Sequence, residues 1–397
     1  MTLRVLGFCD YYGGAVGGGA EAVAKEIYSR LARDHDVDIT VLGALPQRPL
    51  EQLPERHGDN PRHVMMRGID LTGLLGAQLM LVPSLGKIAI NEAREWRPDV
   101  VHINGLHFHS TGAGLRVARS FGLPAVATAH LADAANMGGP VGLAARLLDR
   151  TWARRAARRS NLVVAVSQPV ADHMVRLGVD VRRVMVARNG VDHGRFYPPV
   201  ERAQHPELRA VIVGRLVANK GPALALDALA VARARGRDVR LAVVGDGPLE
   251  AMLRRRASRP DLSGAVQFTG RVDDVETWLR RSDVTLRPSY TEGLPLSVLE
   301  SLACGVPVVC SNVPGTLEVV RHGSNGIVVP IGDPEALGSA LVRLFDERSE
   351  LARMSTAAVE SARPYTWEAS ALCHLAAFEA VLLGSSEARA HRNLGGN

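Results

Sequence analysis

Short, unbroken apolar runs alternate with stretches of helical periodicity along nearly the whole chain, and a parallel sheet covered by helices on both faces is the arrangement that satisfies such a pattern. The first half offers strands at 3–9, 37–42, 99–104, 124–129, 162–166 and 184–187. Helical segments separate them at 20–32, 84–96, 109–121, 141–159 and 168–177. A second series follows, with strands at 209–214, 239–244, 265–269, 283–286, 306–310 and 326–329. Its helices fall at 221–235, 248–257, 273–281 and 295–303, and then run from 333 to 384. Between the two series, Asn189-Gly190-Val191-Asp192 and the prolines 198, 199 and 206 mark an interdomain linker at about 188–207. At 397 residues the chain is longer than a single core usually sustains. The expected fold class is therefore α/β, with two Rossmann-like doubly wound domains at 1–190 and 191–366, and a flexible tail at 385–397.

Composition narrows the class further. Hydrophobic residues make up 46% and charged residues 22%, with mean hydropathy +0.03, a globular balance rather than a disordered one. The N-terminus enters a strand with no basic-then-apolar leader. The most apolar stretch, 71–90, is interrupted by Gly, Pro and Lys. These features predict a cytoplasmic protein. The four cysteines, Cys9, Cys304, Cys310 and Cys373, have neither CxxC nor Cys/His spacing, so buried thiols are expected rather than disulfides or a metal. The formal net charge of +6 belongs to the first 200 residues, the second half being balanced. Residues 44–63, rich in Pro, Gln and Arg without a period, read as a long surface loop.

The chemistry concentrates where strands of the second series end. In Arg287-Pro288-Ser289-Tyr290-Thr291-Glu292-Gly293-Leu294-Pro295-Leu296-Ser297-Val298-Leu299-Glu300, a strand gives way to a helix, with Pro295 suited to its first turn. That places Glu292 in the turn and Glu300 in the second helical turn, beside free N–H groups that favour an anion such as a diphosphate. Two acids beside an anion site make sense if they accept hydrogen bonds from hydroxyls, which sugars and riboses supply. Gly214-Arg215-Leu216-Val217-Ala218-Asn219-Lys220-Gly221 sets two cations in one loop leading into a helix, suited to a diphosphate. Gly245-Asp246-Gly247-Pro248 is a tight turn, and Thr269-Gly270-Arg271-Val272 could frame a flat base. In the first half, Gly17-Gly18-Gly19-Ala20-Glu21 follows the opening strand without the G-x-G-x-x-G spacing of a dinucleotide fingerprint.

Taken together, Gly214-Arg215 with Lys220-Gly221, Gly245-Asp246-Gly247-Pro248, Phe268-Thr269-Gly270-Arg271-Val272, and Ser289 through Glu292-Gly293, Pro295 and Glu300 to Val308 resemble the pattern of glycosyltransferase family 4. Gly17-Gly18-Gly19-Ala20-Glu21, Thr128-Ala129-His130 and Asn189-Gly190-Val191-Asp192 agree with it more loosely. The resemblance implies a GT-B fold, two Rossmann-like domains facing a central cleft, with a final helix at about 367–384 crossing back to the first. It also implies metal-independent transfer of a sugar from a nucleotide donor with retention of configuration. On that pattern Arg215 and Lys220 would hold the donor diphosphate, Glu300 would accept from the ribose, and Glu292 would meet hydroxyls of the donor sugar. His130 would lie near that sugar. The backbone at Arg271 and Val272 would contact the base, and Gly214, Gly293 and Leu294 belong to the same donor site. Gly18 and Gly19 would allow close approach to the phosphates. A UDP-sugar is the expected donor, although nothing in 270–273 reads uracil against guanine.

For the acceptor, His102, His107 and His109 cluster after one strand, and Asp133 follows His130; of these His107, His109 and Asp133 are the candidates. Their spacing implies no metal site. The segment 141–159 interleaves Arg146, Arg150, Arg154, Arg155, Arg158 and Arg159 with Leu143, Leu147, Leu148 and Trp152. Such a helix suits either a solvated basic face or the anionic inner face of a membrane. Two acceptor classes stay open, a cell-envelope glycan or lipid and a small metabolite; a nucleic-acid partner is not expected. Two other readings also stay open, a GT-B sugar-nucleotide epimerase or phosphorylase and a non-catalytic nucleotide-sugar-binding protein.

Overall fold

The computed structural model describes residues 2–12, 18–46, 60–70, 80–132, 139–201 and 205–394. They form two compact units, one of residues 1–130, 143–189 and 367–397 and the other of residues 131–142 and 190–366. The first unit contains β1 (Leu3–Phe8), β2 (Val37–Pro46), β3 (Arg62–Asp70), β4 (Met80–Leu81), β5 (Val100–Asn104), β6 (Ala125–Ala129), β7 (Leu162–Ala165) and β8 (Val184–Val186). They lie in the order β4-β3-β2-β1-β5-β6-β7-β8, parallel except for the antiparallel β3–β4 pair. The second unit contains β9 (Leu208–Val213), β10 (Val239–Val244), β11 (Val266–Gly270), β12 (Val284–Arg287), β13 (Val308–Ser311) and β14 (Gly326–Val329). Their order, β11-β10-β9-β12-β13-β14, is the 3-2-1-4-5-6 order of a doubly wound sheet.

The apolar runs form strands because both faces are covered. Every residue of β5 and β6 is buried, and Val211, Val243, Leu286 and Val309 are closed off in the second sheet. Helix Pro222–Ala234 packs Leu226 and Leu229 into that core, joined by Leu337 and Leu341 from helix Pro334–Asp346. Each such leucine stabilises the fold by about 1.5–3 kcal/mol through burial, far more than helix propensity supplies. The long helix Trp367–Leu394 lies against helix Gly19–Asp34 and strands β6 and β7 of the first unit. Phe378 is fully buried there, and His374 reaches Thr128 Oγ1 at 3.3 Å.

Several expectations need correction. Part of 44–63 is sheet, since β2 continues to Pro46 and β3 begins at Arg62; residues 47–59 lie outside the described part. Strand β3 carries His63, Arg67 and Gly68 among its apolar residues, which hid its alternation. The last helix runs to Leu394, through the stretch 385–394 expected to fray, in keeping with the helix-forming Glu-Ala-Arg-Ala sequence there. Pro295 is the N-cap of helix Leu296–Ala303, not a residue of its first turn, because its ψ of 123° is extended. The segment expected as one helix at 141–159 comprises helix Gly139–Leu148, a π turn Asp149–Ala153 and helix Arg154–Arg159.

Because all strands but β4 are parallel, each sheet has the carboxyl ends of those strands on one edge. The chain reverses direction across the sheet between β1 and β5, and between β9 and β12. Crevices at such switch points are where open α/β sheets bind ligands.

Candidate functional site

The switch point of the second unit gathers the loops singled out by their chemistry. Gly214 and Arg215 leave β9, and the chain then makes a 3-10 turn, Ala218–Lys220. Gly221 follows with φ 66°, and a Cβ there would stand 2.1 Å from the Pro288 carbonyl oxygen, so only glycine lets the two loops touch. Across the crevice, Arg287 ends β12 and the turn through Glu292 leads into helix Leu296–Ala303. Tyr290 N donates to Asn219 O at 2.9 Å and Leu216 N to Asp246 O at 2.7 Å, tying the loops after β9, β10 and β12 together. Gly315 presses on the turn from behind, where a Cβ would stand 2.1 Å from the Gly293 carbonyl oxygen.

Glu292 is the hub of this arrangement. Its carboxylate, 3% exposed, takes Lys220 Nζ on Oε2 at 2.7 Å. Its Oε1 takes Arg287 Nη2 at 2.6 Å and the Ser289 hydroxyl at 2.7 Å. Arg287 also donates to Val213 O at 3.0 Å, anchoring the guanidinium to the end of β9. Burial pushes the Glu292 carboxyl up, but Arg287 and Lys220 outweigh it and hold the group down to about 2. Its stabilising charge is therefore present above the ordinary glutamate value of 4.5 and is lost only as pH falls through about 2. Lys220 is displaced the other way from a well-matched pair. Burial lowers its pKa, Glu292 only partly restores it, and Arg287 and Arg215 lower it again. Two cations, Lys220 and Arg287, thus share the one carboxylate of Glu292, with Arg215 close enough to act on Lys220, leaving an excess of positive charge at the carboxyl edge of β9 and β12.

Glu300, on helix Leu296–Ala303, has a contrasting environment. Burial pushes it up to about 7, against the pull of Arg195 and Arg287, with Glu276 adding to the rise. The protonated form is favoured in the folded protein, so the associated stability is fully present below the unfolded value near 4.5 and is lost as pH rises through about 7. The wild-type urea midpoint is accordingly expected to fall more between pH 5 and pH 8 than that of Glu300→Gln. Parallel pH dependences in the two proteins would contradict the assignment. Arg271 is exposed and Val272 half-buried just after β11, Gly293 and Leu294 are buried in the turn after Glu292, and Gly214 carries φ 138°.

The other candidates lie in the first unit. Gly18 caps helix Gly19–Asp34 and donates its N–H to Glu21 Oε2 at 2.6 Å, while a Cβ on Gly19 would meet nothing within 4 Å. His130 follows β6, and its Nε2 lies 2.8 Å from Asn104 Oδ1. The Asn104 amide donates to Ala20 O at 2.9 Å, which leaves Oδ1 to accept from the imidazole. Burial, with His374 adding to it, lowers His130 to about 3, so the ring is neutral and offers Nδ1 as an acceptor. His102, which clusters with the candidates in sequence, is a core residue, held between Tyr28 (2.7 Å) and Thr128 (2.8 Å) inside β5. The His109 N–H donates to Asp10 Oδ2 at 3.1 Å at the start of helix His109–Phe121. His107 is half-buried and bonds Asp149 at 3.1 Å; the same carboxylate takes His173 at 2.6 Å. Asp133 lies outside the described residues.

Thus the structure brings Arg215, Lys220, Glu292 and, through Arg287, Glu300 to one switch point. Two contributors escaped sequence reasoning. Arg287 opens the motif yet reads as a strand residue, its only signal being a cation at the end of an apolar run. Asp149 was legible as the sole acid between 134 and 171. Among the described residues, no group of three His, Cys, Asp or Glu side chains is arranged to hold a metal ion.

Comparison with known proteins adds an independent line. Residues 17–195 match the family model described as Glycosyltransferase Family 4, and residues 207–347 match that described as Glycosyl transferases group 1. A D-inositol 3-phosphate glycosyltransferase of Thermobispora bispora is 29% identical over 394 residues, covering 91% of this chain and 90% of its own. A glycogen synthase of Mycobacterium tuberculosis is 29% identical over 269 residues, and the amylovoran biosynthesis glycosyltransferase AmsK of Erwinia amylovora 28% over 212. Those two alignments cover 67% and 51% of this chain but only 64% and 52% of the relatives, less than two thirds of either. Among solved structures, sucrose-phosphate synthase of Thermosynechococcus elongatus superposes with a TM-score of 0.79 at 19% identity, covering 96% of this chain and 100% of that one. Anabaena HepE in complex with UDP and glucose gives 0.74 at 20% identity, covering 95% and 100%. At these identities the superpositions establish the fold, which is GT-B.

Proposed function

The chain belongs to glycosyltransferase family 4, the group 1 glycosyltransferases, and on that premise we propose that it transfers a hexosyl-type group from a nucleotide-sugar to a hydroxyl acceptor with retention of configuration. The observation that carries this reading is the charge imbalance at the second unit's switch point, three cations to one buried carboxylate. A diphosphate is the anion that would redress it. As the bond from the anomeric carbon to the diphosphate oxygen breaks, negative charge builds on the leaving group. Preorganised Arg215 and Lys220 would stabilise that charge without a metal.

The remaining roles follow the same logic. Glu292 keeps Lys220 and Arg287 in place and has lone pairs left to accept from a sugar hydroxyl. Glu300, whose carboxylate accepts no hydrogen bond among the described residues, would accept from the ribose. The backbone at Arg271, Val272, Gly293 and Leu294 would meet base and phosphates. Neutral His130 would accept from a sugar hydroxyl, and Gly18 and Gly19 would leave room for phosphate. The donor is read as a UDP-sugar, a choice supported by the UDP complexes of HepE. The acceptor is a hydroxyl of a cell-envelope glycan or lipid, met at the inner face of the membrane, or of a small metabolite, met in the cytoplasm. No helix among the described residues is long and apolar enough to cross a membrane.

The test is turnover with UDP-, GDP-, ADP- and dTDP-sugars, following free nucleotide and the fate of the sugar. Release of UDP with an α-linked product from an α-linked donor is expected. Epimerised donor without nucleotide release would replace the reading with an epimerase, and no turnover of any donor with a binding protein.

A further inference from the structure

The segment from Leu143 to Arg159 projects a surface that the proposed donor chemistry does not use. Leu143 and Leu147 are 65% and 63% exposed, and Leu148 and Trp152 are 56% and 45% exposed. Each pair is spaced i, i+4, so two neighbouring apolar rows run along the outside of the helix. Trp152 leans against helix His109–Phe121, where a Cβ on Gly112 would come 3.4 Å from its ring, and the remainder of the indole faces outward. Past this apolar face come Arg150, Arg154, Arg155, Arg158 and Arg159, all exposed, and none forms an ion pair among the described residues.

The lack of compensating charge has a structural cause. Asp149, the only acid between 134 and 171, is buried at the start of the π turn and spent on His107 and His173. Burial pushes its carboxyl up, but the two imidazoles outweigh that and hold it well below the usual carboxylate range. The single negative charge of the segment is therefore turned inward, and its outer face carries arginine alone.

We infer that residues 143–159 form a docking surface for an anionic lipid bilayer, in which Leu143, Leu147, Leu148 and Trp152 enter the headgroup boundary and the arginines engage lipid phosphates. Exposed leucines beside a half-exposed tryptophan fit an interface that is apolar below and charged above. Arginines alone would suit RNA equally, but RNA gives no reason for three leucines left more than half exposed. The inference extends the lipid branch of the proposed function, yet it rests on residues outside the donor site, so each can fail without the other.

The test is co-sedimentation of the full chain with vesicles of phosphatidylglycerol and phosphatidylcholine, alongside vesicles of phosphatidylcholine alone. Binding is expected to the anionic vesicles and to weaken as salt is raised. At about 1 kcal/mol per basic residue, the triple change R154Q/R155Q/R158Q is expected to reduce partitioning on the order of 100-fold. The change L143Q/L147Q is expected to weaken binding without altering its salt dependence. An unchanged melting temperature and unchanged nucleotide-induced shift in both variants would show that fold and donor site are intact. No binding to anionic vesicles at low salt, equal binding by the variants, self-association that buries the leucines, or preferential retention on RNA would each overturn the inference.

Discussion

The Arg287→Ala protein is expected to melt about 10 °C below the wild type, the largest stability effect of any single change at the site. Arg287 is 5% exposed and closes two contacts at once, to Glu292 Oε1 at 2.6 Å and to Val213 O at 3.0 Å. Its removal leaves the Glu292 carboxylate buried with only Lys220 and Ser289, and deprives Val213 O of its guanidinium partner. Breaking a buried pair in this way costs about 3–5 kcal/mol, because the orphaned charge has no water to recover. At roughly 2–4 °C per kcal/mol for a domain of this size, calorimetry resolves the change easily. Arg287→Lys keeps the charge but not the fork that spans both acceptors, and should fall between the two. A melting temperature within two or three degrees of wild type would mean that Glu292 is not held by this pair.

Lys220→Ala is expected to do the reverse, sparing the fold and abolishing turnover. Lys220 is the more exposed partner of Glu292, and without it the carboxylate keeps both Arg287 and Ser289. What disappears is a cation that the proposed function places at the leaving diphosphate, and losing one such preorganised group typically lowers kcat about 100- to 1,000-fold. Nucleotide release measured under saturating donor is the appropriate readout. Turnover within a factor of three of wild type would take Lys220 out of the phosphate site. Lys220→Arg is expected to recover part of the rate, since a planar guanidinium keeps the charge but is a poor replacement for a compact ammonium beside Glu292.

The contrast between these two cations shows what a sequence can and cannot disclose here. Lys220 is legible because two cations share a loop between strand and helix. Arg287 is not, because at the end of an apolar run a charge looks like a strand terminus; only the 3-2-1-4-5-6 strand order brings it beside β9 and makes it the partner of Glu292. The alternation of apolar runs and helical periods made the doubly wound units legible, since buried parallel strands have no polar face to disguise them. Strand β3 was missed for the complementary reason that polar residue types such as His63 and Arg67 break the run. His102 and His107 are five residues apart and indistinguishable by type. Burial within β5 makes one a core residue, and its position beyond the strand leaves the other half-buried against Asp149. Such assignments depend on contacts distant in sequence, Tyr28 and Thr128 in the first case and Asp149 in the second.

Calorimetric titration of the wild type and of Lys220→Ala with UDP, GDP, ADP and dTDP tests the central claim, that the excess positive charge between β9 and β12 receives a nucleoside diphosphate. UDP is expected to bind the wild type tightest, and to bind Lys220→Ala at least about tenfold more weakly. Failure of all four nucleotides to bind the wild type, or equal affinity in both proteins, would contradict it.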